Sequence, residues 1–184
     1  MKNKILFAIG LVFSLQSCIP SLHPLYTEDT LVFEEALLGT WTDGPNQIWE
    51  FVKEGDNHYQ LTYTENEKPV KYEVHLVQLG DTHFFDFYLD EKQPTEDYAI
   101  APLIPSHSFA KVTWEKDRMD IAFFDYEWLE KLFQQRKIRL EHEVIDDGTI
   151  ILTASTEELQ KFVQKYAHEE AAFIDPSRLQ RRTL

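Results

Sequence analysis

The 184-residue chain is poor in cysteine, glycine and positive charge: it has one Cys, six Gly and 18 Lys plus Arg against 32 Asp plus Glu, for a formal net charge of −14. One cysteine excludes a disulfide within the chain and any thiolate metal cluster. The glycines stand at 10, 39, 44, 55, 80 and 148, a spacing that permits neither a Gly-x-Gly-x-x-Gly turn nor a phosphate loop. No Gly-x-Ser-x-Gly elbow occurs. The shortage of Lys and Arg argues against a reader of nucleic acid or of anionic membranes, because phosphates are bound by displacing counterions with positive charge. What remains is enough chain for one domain, 14% of it aromatic.

The amino end is patterned differently from the rest. Met1-Lys2-Asn3-Lys4 is a short cationic stretch, followed at 5–15 by eleven almost wholly apolar residues. A bilayer-spanning helix needs roughly 20 apolar residues, so this run has the length of a secretory signal instead. It closes on Leu15-Gln16-Ser17-Cys18. That tetrapeptide resembles the lipobox of bacterial lipoproteins, with Gln16 in a slot that usually holds a small or aliphatic residue. The resemblance implies a diacylglyceryl group on the Cys18 thiol, cleavage between Ser17 and Cys18, and a protein attached to the bilayer through the acylated cysteine. It also implies an address in the bacterial cell envelope. Ile19, in place of an Asp after the cysteine, favours the outer membrane facing the periplasm. The acidic body offers anionic headgroups no polybasic support, so the lipid alone must hold it.

Residues 1–17 are thus expected to be a signal peptide, 18–37 a lipidated tether in which Pro20 and Pro24 favour extended chain, 38–173 the folded domain, and 174–184 a basic tail carrying Arg178, Arg181 and Arg182. Leu31-Val32-Phe33 and Ala36-Leu37-Leu38 are apolar enough to dock on the domain. Between 39 and 125, short alternating runs are broken by turn formers at 44–46, 55–57, 65–67, 80–81 and 116–118. They predict strands at 39–43, 47–53, 58–65, 69–78, 82–90, 107–115 and 119–125. A hairpin follows at 140–145 and 149–154 around Asp147-Gly148. Helices are expected near 126–137, with Trp128, Leu129, Leu132 and Phe133 on one stripe, and near 156–168, opened by the capping box Ser155-Thr156-Glu157-Glu158. The class is mainly β: an antiparallel up-and-down barrel of eight or nine strands with two amphipathic helices, since closure hides the edges of such a meander.

Leu38-Gly39-Thr40-Trp41 at the start of the first strand matches the Gly-x-Trp element of the lipocalin superfamily. The domain resembles that family over about 38–166, and the resemblance implies a Trp packed across the barrel base. Asp125-Tyr126 is at most a remnant of its second motif. The last strand read here holds no arginine to stack on Trp41, and Arg139 lies before the penultimate one. The opening Pro-Leu-Tyr and Leu-Leu-Gly-Thr-Trp segments are also similar to a group of uncharacterised bacterial lipoproteins, a grouping that implies an address and no activity.

No catalytic set, metal set or cofactor motif emerges. His142-Glu143 lacks the second histidine of a zinc protease and alternates as a strand face. Ser106-His107-Ser108 places neighbours on opposite faces of a strand. The expected ligand, if the barrel is hollow, is small and apolar or amphipathic, contacted by Trp41, Tyr59, Tyr63, Tyr72, His83 and Trp114. The segment 91–106 is read as a lid or a packing strap. Two functions stay open: a membrane-anchored ligand carrier, and a non-catalytic structural or protein-interaction lipoprotein with a filled barrel and an unknown partner.

Overall fold

The computed structural model describes residues 19–90, 105–145 and 148–182. The signal segment with Ser17 and Cys18, the greater part of the lid or strap, and Asp147 of the expected hairpin turn lie outside the described residues.

Eight antiparallel strands close into a barrel: β2 Gly39–Thr42, β3 Gln47–Glu54, β4 His58–Glu65, β5 Lys68–Leu79, β6 Thr82–Leu89, β7 His107–Glu115, β8 Arg118–Phe123 and β11 Ser177–Arg181. Seven follow one another in chain order, through short turns except for the long connection at 90–106 between β6 and β7, and fall where alternation places them. The eighth does not. The ring is completed by β11, which pairs with β8 on one side (Leu179 opposite Met119) and β2 on the other (Arg181 opposite Trp41). The expected basic tail is therefore a barrel stave, and the barrel domain extends past 173. Its interior positions, Ser177, Leu179 and Arg181, include a single aliphatic residue, so the apolar alternation that marks the other strands is missing.

The expected hairpin forms, as β9 His142–Val144 with β10 Ile150–Leu152, but outside the ring. It stands between α1 Tyr126–Gln134 and α2 Thr156–Tyr166. This helix–hairpin–helix excursion leaves after β8 and returns through β11. Asp125 caps α1 by accepting from the Trp128 amide at 2.9 Å. Ser155 and Glu158 form the anticipated capping box of α2.

Two apolar cores result. Inside the barrel lie Trp41, Phe51, Tyr59, Leu61, Leu76 and Phe85, all essentially inaccessible. Outside it, the other face of β5 to β7 (Val77, Phe84, Phe109), with Phe124 just past β8, packs in one cluster with Leu129 of α1 and Leu159, Phe162 and Val163 of α2. These strands are buried on both faces, which is why alternation fades along Phe84-Phe85-Asp86-Phe87.

The segment expected to act as a tether is built in. Ser21 exchanges backbone hydrogen bonds with His107 at 2.9 and 2.8 Å, and the Leu22 amide donates to Leu152 at 2.9 Å. Further on, Leu31–Val32 forms β1, pairing with β5 where that strand outruns β4.

Candidate functional site

The barrel has two unlike ends. The end bearing the 55–57, 80–81 and 116–117 turns is the base, and the segment 31–38 runs across it. Leu37 plugs it, fully buried. The Trp41 indole donates to the Leu37 carbonyl at 2.9 Å. The Arg181 guanidinium lies 4.2 Å over the Trp41 ring and donates to Leu38 O at 2.8 Å and to Ala36 O. Gly39 has φ +112, and a Cβ there would stand 3.1 Å from Arg181 Nη1, so glycine is required at the step that brings the chain under the guanidinium. The arginine partner of Trp41 is thus present, on the strand that sequence alternation misses.

Tyr59 also belongs to the base. Its hydroxyl accepts from the Glu34 amide at 2.7 Å, Phe33 stacks on its ring at 4.8 Å, and burial pushes its phenol up to about 12. His83 and Trp114 meet edge to face at 5.0 Å near the same end, and burial lowers the imidazole pKa.

The opposite end carries the 43–46 and 65–67 turns and the connection from β6 to β7. Here Tyr63, Tyr72 and Phe123 are only partly buried, around Trp49 and Phe87. Trp49 meets Tyr63 at 4.8 Å, Tyr72 meets Phe87 at 6.4 Å, and Phe87 meets Phe123 at 5.5 Å. Strands β3, β4, β5, β6 and β8 each contribute one ring. The Trp49 side chain is buried, and its Nε1–H has no hydrogen-bond partner among the described residues. A desolvated donor of this kind costs roughly 1–3 kcal/mol until an acceptor reaches it. Burial chiefly, then the charges of Glu65 and Asp43, push the Tyr63 phenol up to about 12.

The six expected ligand contacts therefore separate. Trp41, Tyr59, His83 and Trp114 serve the base; Tyr63 and Tyr72 line the mouth. Trp49 completes the mouth. Its signal in the sequence was parity with Phe51, which marks it as interior without showing that its indole nitrogen would be left alone.

A second polar cluster sits on the outer wall. Asp86, fully buried, accepts from the Leu25 amide at 2.6 Å and lies 2.7 Å from His107 Nδ1. Burial raises its pKa, against the lowering effect of His107. His75 is stacked under Tyr26 at 4.0 Å, with His58 at 5.3 Å. Burial first, then the neighbouring His58 and His107, lower its pKa to about 4. The serines flanking His107 in sequence play no part; Ser21 sits opposite it, but its hydroxyl donates to His23 O. This is a clamp for the amino-terminal segment. Among the described residues, no three acidic, His or Cys groups converge as a metal site.

The fold is a closed eight-strand antiparallel barrel consistent with a lipocalin-like architecture, with β1, the β9–β10 hairpin and two helices outside the ring. Comparison of the chain with family models, curated proteins and solved structures finds no match.

Proposed function

We propose that the protein is a membrane-anchored bacterial lipoprotein whose barrel mouth binds a small amphipathic molecule. The anchor reading is supported by Leu15-Gln16-Ser17-Cys18 after the apolar run. The binding reading is carried by the unpartnered Trp49 Nε1–H among five aromatic rings at one end of the barrel. Such a site takes an apolar body against the rings and one acceptor against the indole. Asp43 and Glu65 beside Tyr63 make an uncharged acceptor, a hydroxyl, ester or amide carbonyl, the favoured head group.

The test is displacement of an apolar fluorescent probe from residues 19–184 by alkanols, alkyl amides and alkanoates of one chain length. The neutral compounds compete best, and Trp49→Phe removes their advantage over a plain alkane. Absence of probe binding by the folded protein contradicts the reading. The filled base, with Trp41, Phe51, Tyr59 and Leu61 inaccessible, favours one other reading: an interaction lipoprotein with a solid barrel. That reading predicts no competition by any of the compounds and a partner recovered by crosslinking in the envelope.

A further inference from the structure

At the mouth, the ladder between β3 and β4 sets two pairs side by side. Trp49 stands opposite Tyr63 and, one interior position nearer the rim, Gln47 stands opposite Glu65. Alternation puts these four residues on the interior face. Gln47 Nε2 donates to Glu65 Oε1 at 3.0 Å, which fixes the carboxylate at the rim. Glu65 in turn acts on the Tyr63 phenol, through its charge and through a hydrogen bond. A carboxylate has about four lone-pair sites. Gln47 and Tyr63 draw on two of them. Lys68 stands opposite Glu65 in the ladder with β5, and an ammonium on a third still leaves one to accept from a ligand.

Trp49 is the reverse case. Its buried Nε1–H finds no acceptor among the described residues, Glu65 included. Trp49 and Glu65 are diagonal neighbours in the ladder, and such residues lie about 7–8 Å apart, within reach of long side chains. A donor that lacks an acceptor thus stands beside an acceptor with capacity to spare, and the two are not bonded to each other. A group that accepts from the indole and donates to the carboxylate completes both. A hydroxyl does so through one oxygen, and a primary amide through its oxygen and nitrogen. An ether or an ester accepts but cannot donate; an ammonium donates but cannot accept. Water does both, so a head group that supplies one bond only displaces it at a loss.

We propose that Glu65 determines the specificity of the mouth, selecting a neutral head group that donates as well as accepts: the ligand is an apolar-bodied alcohol or primary amide, with its oxygen on Trp49 Nε1–H and its O–H or N–H on Glu65. The proposal rests on the binding reading above and narrows it, since esters and ethers satisfy Trp49 alone and are the poorer ligands.

The test uses the full chain as purified from its cells, labelled with nitrogen-15, and takes the Trp49 indole signal as a local reporter. Hexan-1-ol is compared with its isomer methyl pentyl ether, and hexanamide with its isomer N,N-dimethylbutanamide, at ligand concentrations measured free in the buffer. The protic member of each pair is expected to bind about tenfold more tightly, the worth of one hydrogen bond to a charged group. Glu65→Leu is expected to remove that preference while the ether keeps its affinity. Glu65→Gln, whose amide oxygen still accepts, is expected to keep part of it. Equal affinities within each pair in the unaltered protein overturn the role of Glu65 and leave the mouth reading intact. So does an equal loss for all four compounds in Glu65→Leu, the mark of a merely structural residue. A Trp49 signal that moves with none of the four overturns the mouth reading and this proposal with it.

Discussion

Two residues decide how the two ends of this barrel behave. Arg181 closes one of them. It lies over Trp41 and donates to two carbonyls of the segment that crosses the base. Arg181→Ala is expected to cost about 2 kcal/mol, the sum of a partly desolvated cation–π contact and the hydrogen bonds. Urea unfolding measures it, and Arg181→Lys recovers only part, because an ammonium cannot lie flat on the indole while reaching both carbonyls. The other residue, Trp49, keeps a donor that finds no acceptor among the described residues. Trp49→Phe is therefore expected to leave stability unchanged or slightly raised, as a tryptophan that serves only packing would not. On the outer wall, His75 makes stability fall with acid. Its folded pKa of about 4 lies below the ordinary 6.5, so the unfolded chain takes the proton first as pH drops. Stability is whole above about 6.5 and declines toward 4, by up to about 3 kcal/mol. Asp86 acts in the opposite sense: its raised pKa makes protonation favour the fold. Comparing His75→Phe with the unaltered protein by denaturant titration at pH 7.5 and 4.5 isolates the histidine; equal pH slopes in both would contradict this assignment.

At the scale of elements, the capping box of α2 and the closing strand make separate demands. Ser155→Ala removes the acceptor of the Glu158 amide and is expected to cost about 1 kcal/mol, seen as a lower Tm. Ending the chain after Pro176 removes β11 and leaves β2 and β8 as bare edges. The expected result is aggregation and loss of near-ultraviolet dichroism, since an opened barrel exposes both its interior and two unpaired strands. This strand also shows where sequence reasoning stops. The seven consecutive staves, both helices and the off-barrel hairpin are legible because each repeats an apolar period or carries its own turn or cap. Strand β11 has one buried aliphatic, Leu179, between Arg178 and Gln180, and its pairing partners lie about 60 and 140 residues away in the chain. Nothing local encodes that closure. The same holds for the site: interior parity names Tyr63 and Tyr72, but only the pairing of strands reveals that they share an end with Trp49, while Trp41 and Tyr59 fill the other.

For the whole molecule, the base is sealed by tight aromatic packing and by the 31–38 segment, while the opposite end keeps half-buried rings and a lone indole donor. The helix–hairpin–helix excursion covers one side of the barrel and holds the segment that begins at Ile19 against it, so that segment, wall and mouth keep fixed positions. The most direct test reads the indole N–H signals of the four tryptophans by nitrogen-15 correlation spectroscopy while a medium-chain alkanol or alkyl amide is added. The account predicts a saturable shift of the Trp49 signal, assigned through Trp49→Phe, with Trp41 and Trp128 unmoved. A folded protein whose Trp49 signal stays fixed across the whole series would contradict it.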